Sequence, residues 1–198
     1  ASTVWLMLLV AVTFAFSIAG CTAPETESIE KGTLRFTADG EEFIREGFTS
    51  KDGWDLSFRH AYISLGDITA YQSSPPYTTD AGWDFSYDAT VSLHGSYTID
   101  LADPEADPIF IDEVTGVAAG HYNALSWSLL PGEIDGIGSH ALVLTGKAVR
   151  DAESVEFTLR FDQAIDYLGG EYIGEDRKGL LDAGETAEVE MTFHFDHL

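Results

Sequence analysis

The stretch Glu188-Val189-Glu190-Met191-Thr192-Phe193-His194-Phe195-Asp196 alternates polar residues with apolar ones. A period of two places the apolar side chains on one face of a β-strand and the polar ones on the other. The same alternation occurs at 33–37, 54–71, 91–101, 125–129 and 155–162. Strands with one buried and one hydrated face are typical of antiparallel sheets. We therefore predict an all-β fold, an antiparallel two-sheet sandwich of about eight or nine strands.

Turn signals rich in Gly, Pro and Asp separate these runs, and no long stretch has helical periodicity. Residues 163–168 and 175–182 are expected to form short helices or turns. The chain has 198 residues, enough for one well-packed domain and few for two. The simplest division is one β-sandwich domain over residues 32–198.

The N-terminal residues predict an export signal. An apolar run extends from Val4 to Ala19, and no charged residue precedes Glu25. The run ends in Ile18-Ala19-Gly20-Cys21, which resembles the lipobox of bacterial lipoproteins. The resemblance implies a signal peptide at residues 1–20, a lipidated Cys21 and a flexible tether over 21–31. The domain is then extracytoplasmic and membrane-anchored, at the cell surface or in the periplasm; an uncleaved anchor helix is the alternative.

The composition excludes several classes of function. The chain has 34 Asp and Glu against 10 Lys and Arg, a formal charge of −24, which repels nucleic acids. The single cysteine excludes an internal disulfide and a cysteine-based zinc cluster. No nucleophile elbow, phosphate-binding glycine loop or H-E-x-x-H motif occurs. We predict that the protein is not an enzyme.

The histidines indicate a metal site, because metal capture without thiols relies on imidazole and carboxylate ligands. On a strand, His194 and Asp196 project to the same side, with Cα atoms about 7 Å apart. His197 follows at the strand end. His60 lies between Phe58 and Tyr62 on an otherwise apolar parity and is the predicted remote ligand. A buried histidine there needs a partner, either a metal or a carboxylate. His94 and His121 are alternates, and His140 is predicted to be a surface residue. Such a set suits a divalent Zn, Cu or Fe ion.

Two other kinds of site stay open. A loose calcium site is conceivable in an acidic loop, although this loop lacks the EF-hand glycine and glutamate. Its candidate ligands are Asp103, Asp107, Asp112 and Glu113. Aromatic residues around a Pro-rich loop offer a surface for a glycan or a protein, or else belong to the core. They are Trp54, Tyr71, Tyr77, Trp83, Phe85 and Tyr87.

Several segments resemble the MbnP-like proteins, extracytoplasmic β-sandwich proteins associated with copper and methanobactin systems. Residues 54–68 resemble their F-x-x-Y-x-S-N-I strand, and 97–101 resemble an aspartate-containing strand. Residues 117–127 resemble their P-A-G-x-Y-x-x-L-x-F strand, and 140–146 their next buried strand. The family's W-x-W-x-S-G-Y stretch is absent after Pro131, so neither copper specificity nor a ligand set follows from the resemblance.

Together these features predict a lipid-anchored extracytoplasmic binding protein for a divalent transition metal, accessory to metal uptake or handling. A metal transporter or a redox protein is the expected partner. The alternative is a non-catalytic surface lipoprotein that binds a glycan or a protein.

Overall fold

The computed structural model describes residues 30–106, 108–134, 136–170 and 178–195. Within these ranges strands dominate and several antiparallel sheets form, so the all-β prediction is confirmed. In chain order the elements are β1 (Lys31–Asp39), α1 (Glu41–Glu46), β2 (Phe48–Thr49), β3 (Asp55–Ser73), a 3-10 turn (Thr79–Ala81), β4 (Tyr87–Ser92), β5 (Ser96–Asp100), β6 (Ile109–Ala118), β7 (Gly120–His121), β8 (Ala124–Leu129), β9 (Gly132–Ile134), β10 (Gly138–His140), β11 (Leu142–Arg150), β12 (Glu153–Phe161), β13 (Ile165–Gly170), β14 (Leu180–Leu181) and β15 (Thr186–Thr192).

The larger sheet is organised around the 19-residue strand β3. Along one edge, β3 pairs first with β11 and then with β8; along the other it pairs with β2, β5 and β4. Strand β12 adds to β11, and β13 adds to β8. All of these pairings are antiparallel, so one long strand joins both halves of the sheet.

The smaller sheet has the order β15–β1–β6. Strand β1 pairs antiparallel with β6 but parallel with β15, with Phe36 opposite Val189. The expectation of purely antiparallel pairing is therefore wrong for β1 and β15. Alternation within a strand reports which face is buried, but it does not report the direction of the neighbouring strand.

Both sheets contribute side chains to one hydrophobic core, as the alternation predicts. Leu34 and Phe36 of β1 and Met191 of β15 are fully buried, and so are Ala61 and Leu65 of β3. Arg35, between Leu34 and Phe36, faces outward and forms an ion pair with Glu113 on β6 at 3.2 Å.

Two irregularities in β3 change the predicted faces of its residues. The register with β11 shifts so that Thr145 lies opposite His60 and Gly146 opposite Phe58, which leaves Arg59 as an extra residue. A second shift occurs near Asp67, whose φ is +52°. Bulges of this kind reverse the alternation. His60 therefore does not share a face with Phe58, and the prediction that it lies on the apolar face is wrong.

Strand β12 has the predicted alternation but not the predicted burial. Val155, Phe157, Leu159 and Phe161 form its apolar face, and all except the partly buried Phe157 are exposed. Leu159 lies opposite the buried Leu144 of β11. The apolar face of β12 therefore continues the core-facing side of the larger sheet beyond the area that the described elements cover.

Two local assignments from the sequence are also corrected. Residues 163–168 were expected to form a helix or turn, but from Ile165 onward they belong to strand β13, which pairs with β8 as far as Gly170. The helix α1 was not foreseen, since it has only six residues. It begins with two glutamates, ends near Arg45 and buries Ile44, a charge order that suits the helix dipole.

Several predicted features lie outside the described residues. They are the signal peptide at residues 1–20, Cys21, part of the segment 175–182, Asp107, Asp196 and His197. In the described part of the chain, no helix has the length and apolar character needed to span a bilayer.

Candidate functional site

His194 lies just after β15, at the edge where the two sheets and α1 meet. Its Nδ1 is 2.9 Å from Oε2 of Glu41, the first residue of α1. A carboxylate is a hydrogen-bond acceptor, so this contact favours the tautomer with the proton on Nδ1, in which Nε2 holds the lone pair. The imidazole is more than half exposed, so this pair orients a ligand nitrogen toward solvent.

Asp39, the last residue of β1, positions Glu41. Its Oδ1 accepts the backbone N–H of Glu41 at 2.8 Å and Nη1 of Arg45 at 2.7 Å. Its carbonyl oxygen accepts the backbone N–H of Phe193 at 2.8 Å. One residue therefore fixes both the start of α1 and the backbone next to His194, which accounts for their approach across 153 positions of sequence.

An apolar groove of about 430 Å³ lies beside His194. Trp127 stacks on Tyr167 with ring centroids 5.5 Å apart and meets the ring of Phe193 edge-on. The indole N–H of Trp127 is buried and forms no hydrogen bond within the described ranges. The remaining walls are Ile63, Leu129, Leu142, Thr192 and Phe195. The groove thus provides an apolar wall next to an exposed imidazole.

His60 occupies a different place from His194. Its Nδ1 is 2.7 Å from Oδ2 of Asp100, and its ring stacks on Tyr62 at 4.9 Å. Because of the register shift, His60 points away from the face on which Ile63 lines the groove. The sequence required a carboxylate or a metal as its partner, and the structure shows a carboxylate.

The other histidines are scattered. His94 is exposed in the turn between β4 and β5, and His121 lies in β7 opposite Leu180. His140, predicted to be a surface residue, is largely buried, and its Nδ1 lies 2.5 Å from Oδ1 of Asp162. Nothing local in the sequence shows this third histidine–carboxylate pair, because it depends on the pairing of β11 with β12.

No three His, Cys, Asp or Glu residues come close enough to hold a metal ion within the described ranges. His60, His140 and His194 each have a separate carboxylate partner. The structure therefore joins His194 to Glu41 but does not join it to His60. Asp196 and His197, which follow Phe195 directly, are outside the described residues.

The described members of the acidic loop have other partners. Asp112 accepts the Tyr97 hydroxyl at 2.9 Å, Glu113 pairs with Arg35, and Asp103 accepts the backbone N–H of Glu105. Burial and the hydrogen bond to Asp112 both raise the pKa of Tyr97, which keeps its hydroxyl a donor. These contacts give the carboxylates structural roles.

Four aromatic side chains form a contiguous cluster on the larger sheet, here called the aromatic patch: Tyr71, Tyr77, Phe85 and Tyr87. Neighbouring ring centroids are 5.2 to 5.9 Å apart with tilted or edge-to-face geometry. Tyr87 is 53% exposed, and Trp83 in the adjoining loop is 62% exposed. Trp54 lies elsewhere, with the Arg150 guanidinium 4.4 Å from its ring centroid.

The charge around the aromatic patch is acidic. No Lys or Arg occurs between Arg59 and Lys147. The acidic residues in this interval are Asp67, Asp80, Asp84, Asp88, Asp100, Asp103, Glu105, Asp107, Asp112, Glu113, Glu133 and Asp135. Three of them, Asp80, Asp84 and Asp88, flank Trp83 and Tyr87 and are exposed. The patch therefore favours neutral or cationic ligands over anionic ones.

Lys178 forms ion pairs with two glutamates of β15. It contacts Glu190 and lies 3.2 Å from Glu188. Burial lowers its pKa, but the hydrogen bonds and charges of the two glutamates raise it more, so the net shift is upward. This cluster holds the start of the last described segment against β15.

Comparison with protein-family models, curated proteins and solved structures finds no match, so the function of this chain is argued from its own residues.

Proposed function

We propose that this protein is a lipid-anchored extracytoplasmic binding protein for a divalent transition metal. Nε2 of His194 is one ligand, and Asp196 and His197 supply the others. The observation that carries the proposal is the 2.9 Å contact between His194 Nδ1 and Glu41 Oε2. Metal-binding histidines commonly donate their second ring N–H to a carboxylate, which fixes the tautomer and raises the basicity of the ligand nitrogen.

Two imidazoles and a carboxylate within four residues of sequence are ligand types that suit Zn(II), Cu(II) or Fe(II). The formal charge of −24 raises the local concentration of cations at low ionic strength. His60 is not part of this proposal, because it faces the other side of β3 and bonds Asp100. Lipidation at Cys21 would place the site close to a membrane-bound transporter or redox partner.

Isothermal titration of the full chain with Zn(II) and with Cu(II) tests the proposal. We expect saturable binding of one ion, lost in the His194→Ala/His197→Ala variant. Glu41→Gln should weaken binding by about 10–100-fold, because it removes the carboxylate that orients the imidazole. His94→Ala is the matched control, an exposed histidine in a turn, and should bind as the unmodified chain does. Absence of binding by the unmodified chain, or equal binding by the double variant, would contradict the proposal.

The aromatic patch favours a second candidate function, non-catalytic binding of a neutral glycan or a protein. Its rings hold one another in place, and Trp83 and Tyr87 present large apolar surfaces beside exposed carboxylates. Aromatic faces and hydrogen-bonding carboxylates together are suited to binding sites of this type.

A glycan array measures this candidate directly. We expect retention of a neutral glycan by the unmodified chain and a loss of at least about tenfold in the Trp83→Ala/Tyr87→Ala variant. Trp54→Ala removes a tryptophan that lies neither in the patch nor in its adjoining loop, and this variant should retain the glycan. If all three proteins bind alike, or none binds any glycan, a glycan role for the patch is disproved.

A further inference from the structure

Strand β12 is the outermost strand at one side of the larger sheet. It pairs with β11 from Glu153 to Phe161, and the described residues form no pairing along its other edge. An edge strand of nine residues presents a row of backbone donors and acceptors that can pair with another chain. Natural proteins usually protect such edges with short strands, prolines or inward charges. Strand β12 has nine residues and no proline, and its apolar face carries no charge from Val155 to Phe161.

The apolar face of β12 is unusually exposed. Val155, Leu159 and Phe161 are 51%, 47% and 45% exposed, and Ile165, at the start of β13, is exposed as well. Phe157 is partly covered by Phe58, whose ring centroid is 5.8 Å away. A row of apolar side chains beside an open strand edge is typical of an interface that another protein surface covers.

The charges on the polar face of β12 indicate that its partner is a second copy of the same strand. When two copies run antiparallel, opposite charges can face each other. Glu156, Thr158 and Arg160 occupy this face. When two copies of the strand run antiparallel about Thr158, Glu156 of each copy lies opposite Arg160 of the other. On the apolar face, Val155 then meets Phe161 and Phe157 meets Leu159. We propose that the protein forms a two-fold dimer through antiparallel pairing of β12 in this register.

Neighbouring registers do not offer the same complementarity. Centring the pair on Phe157 places Glu156 opposite Thr158 and leaves Arg160 opposite Ser154. Centring it on Leu159 places Glu156 opposite Asp162, and like charges directly opposite each other are destabilising. The Thr158 register matches opposite charges and apolar side chains at once. A two-fold axis also makes both contacts occur twice, as in any isologous interface.

The intrachain partner of Glu156 does not prevent this pairing. Arg59 Nη2 lies 3.0 Å from Glu156 Oε2, and both side chains are mostly exposed. Exposed pairs of this kind contribute little, so the Glu156 carboxylate remains able to accept a second cation from the partner. The dimer is independent of the proposed metal site and would form whether or not a metal binds.

A single cysteine placed on the proposed axis tests the register. In full-length Thr158→Cys, the two introduced thiols lie directly opposite each other, with Cβ atoms about 5 Å apart, and a short thiol-to-thiol cross-linker should trap a dimer. In the matched Ser154→Cys variant the two thiols lie about 26 Å apart, so no dimer should be trapped. Cys21 is present in both variants and in the unmodified chain. Cross-linking of the unmodified chain therefore measures the contribution of Cys21 alone. Equal cross-linking of the two variants, or none in either, would overturn the proposal.

A charge exchange in the Thr158→Cys background tests the partner contacts. Glu156→Arg places two arginines opposite each other at both ends of the pair and should lower the cross-linked fraction about tenfold. Adding Arg160→Glu restores opposite charges and should restore the cross-link. Failure of the double exchange to recover more cross-link than the single one, with both variants folded by circular dichroism, would refute the register.

Discussion

Phe36→Ala is expected to lower the free energy of unfolding by about 3–5 kcal/mol. Phe36 is fully buried in the middle of β1 and lies between Val189 of β15 and Asp112 of β6. Its removal leaves a cavity in the hydrophobic core to which both sheets contribute. Urea denaturation followed by circular dichroism measures the change, provided that the slope of the transition is the same in both proteins.

Phe110→Ala is the matched control for Phe36→Ala. Phe110 lies on the neighbouring strand β6 opposite Thr37, but it is 52% exposed, and the Arg35 guanidinium lies 5.3 Å from its ring centroid. Its truncation should lower the unfolding free energy by less than about 1 kcal/mol. Equal losses in the two variants would mean that the shared core between the sheets is not the main source of stability.

Asp100→Ala is expected to lower the unfolding free energy by about 2–4 kcal/mol. Oδ1 of Asp100 accepts the backbone N–H groups of Ala61 and Ala102 at 2.8 and 3.1 Å, and Oδ2 contacts His60. Ala61 is fully buried, so alanine at position 100 leaves its N–H without a partner in the core. The same denaturation experiment measures this loss.

Asp100→Asn separates the backbone contacts from the contact to His60. Asparagine keeps an oxygen for the two N–H groups but can place an NH₂ group against His60, which forces Nδ1 to become the acceptor. We expect a smaller loss, about 1 kcal/mol, and a movement of the His60 proton to Nε2 that nitrogen NMR reports. A loss as large as that of Asp100→Ala would show that the charge of Asp100, not its acceptor geometry, stabilises this end of β5.

Much of the fold could be predicted from alternation alone. Val189 and Met191 are buried on β15, and Leu34 and Phe36 on β1, as their period of two indicates. This signal is reliable because successive side chains of any strand point to opposite faces, whatever the strand pairs with. Strand β13 lacks that signal, and it is a strand because β8 offers it a partner.

Alternation gave wrong predictions where the face or the burial of a residue depended on a neighbouring strand or a covering surface. The extra residue Arg59 in β3 arises from the pairing with β11, and it moves His60 to the opposite face from Phe58. Leu159 alternates as regularly as Met191 does, yet one is exposed and the other buried. Burial of an apolar face requires a second surface to cover it, and a strand's own residues do not encode whether one is present.

The candidate site divides in the same way. His194 stood out from the sequence because it lies beside Asp196 and His197, but its contact with Glu41 did not, since 153 positions separate the two. The sequence by itself determined the strand-rich fold, the residues able to form its core and the strongly negative charge. The tertiary structure alone decided the parallel pairing of β1 with β15, the carboxylate partner of each paired histidine and the position of β12 at the edge of the described part of the larger sheet. Periodicity and charge are local properties of a chain, whereas register, partnership and coverage depend on which distant segments fold against one another.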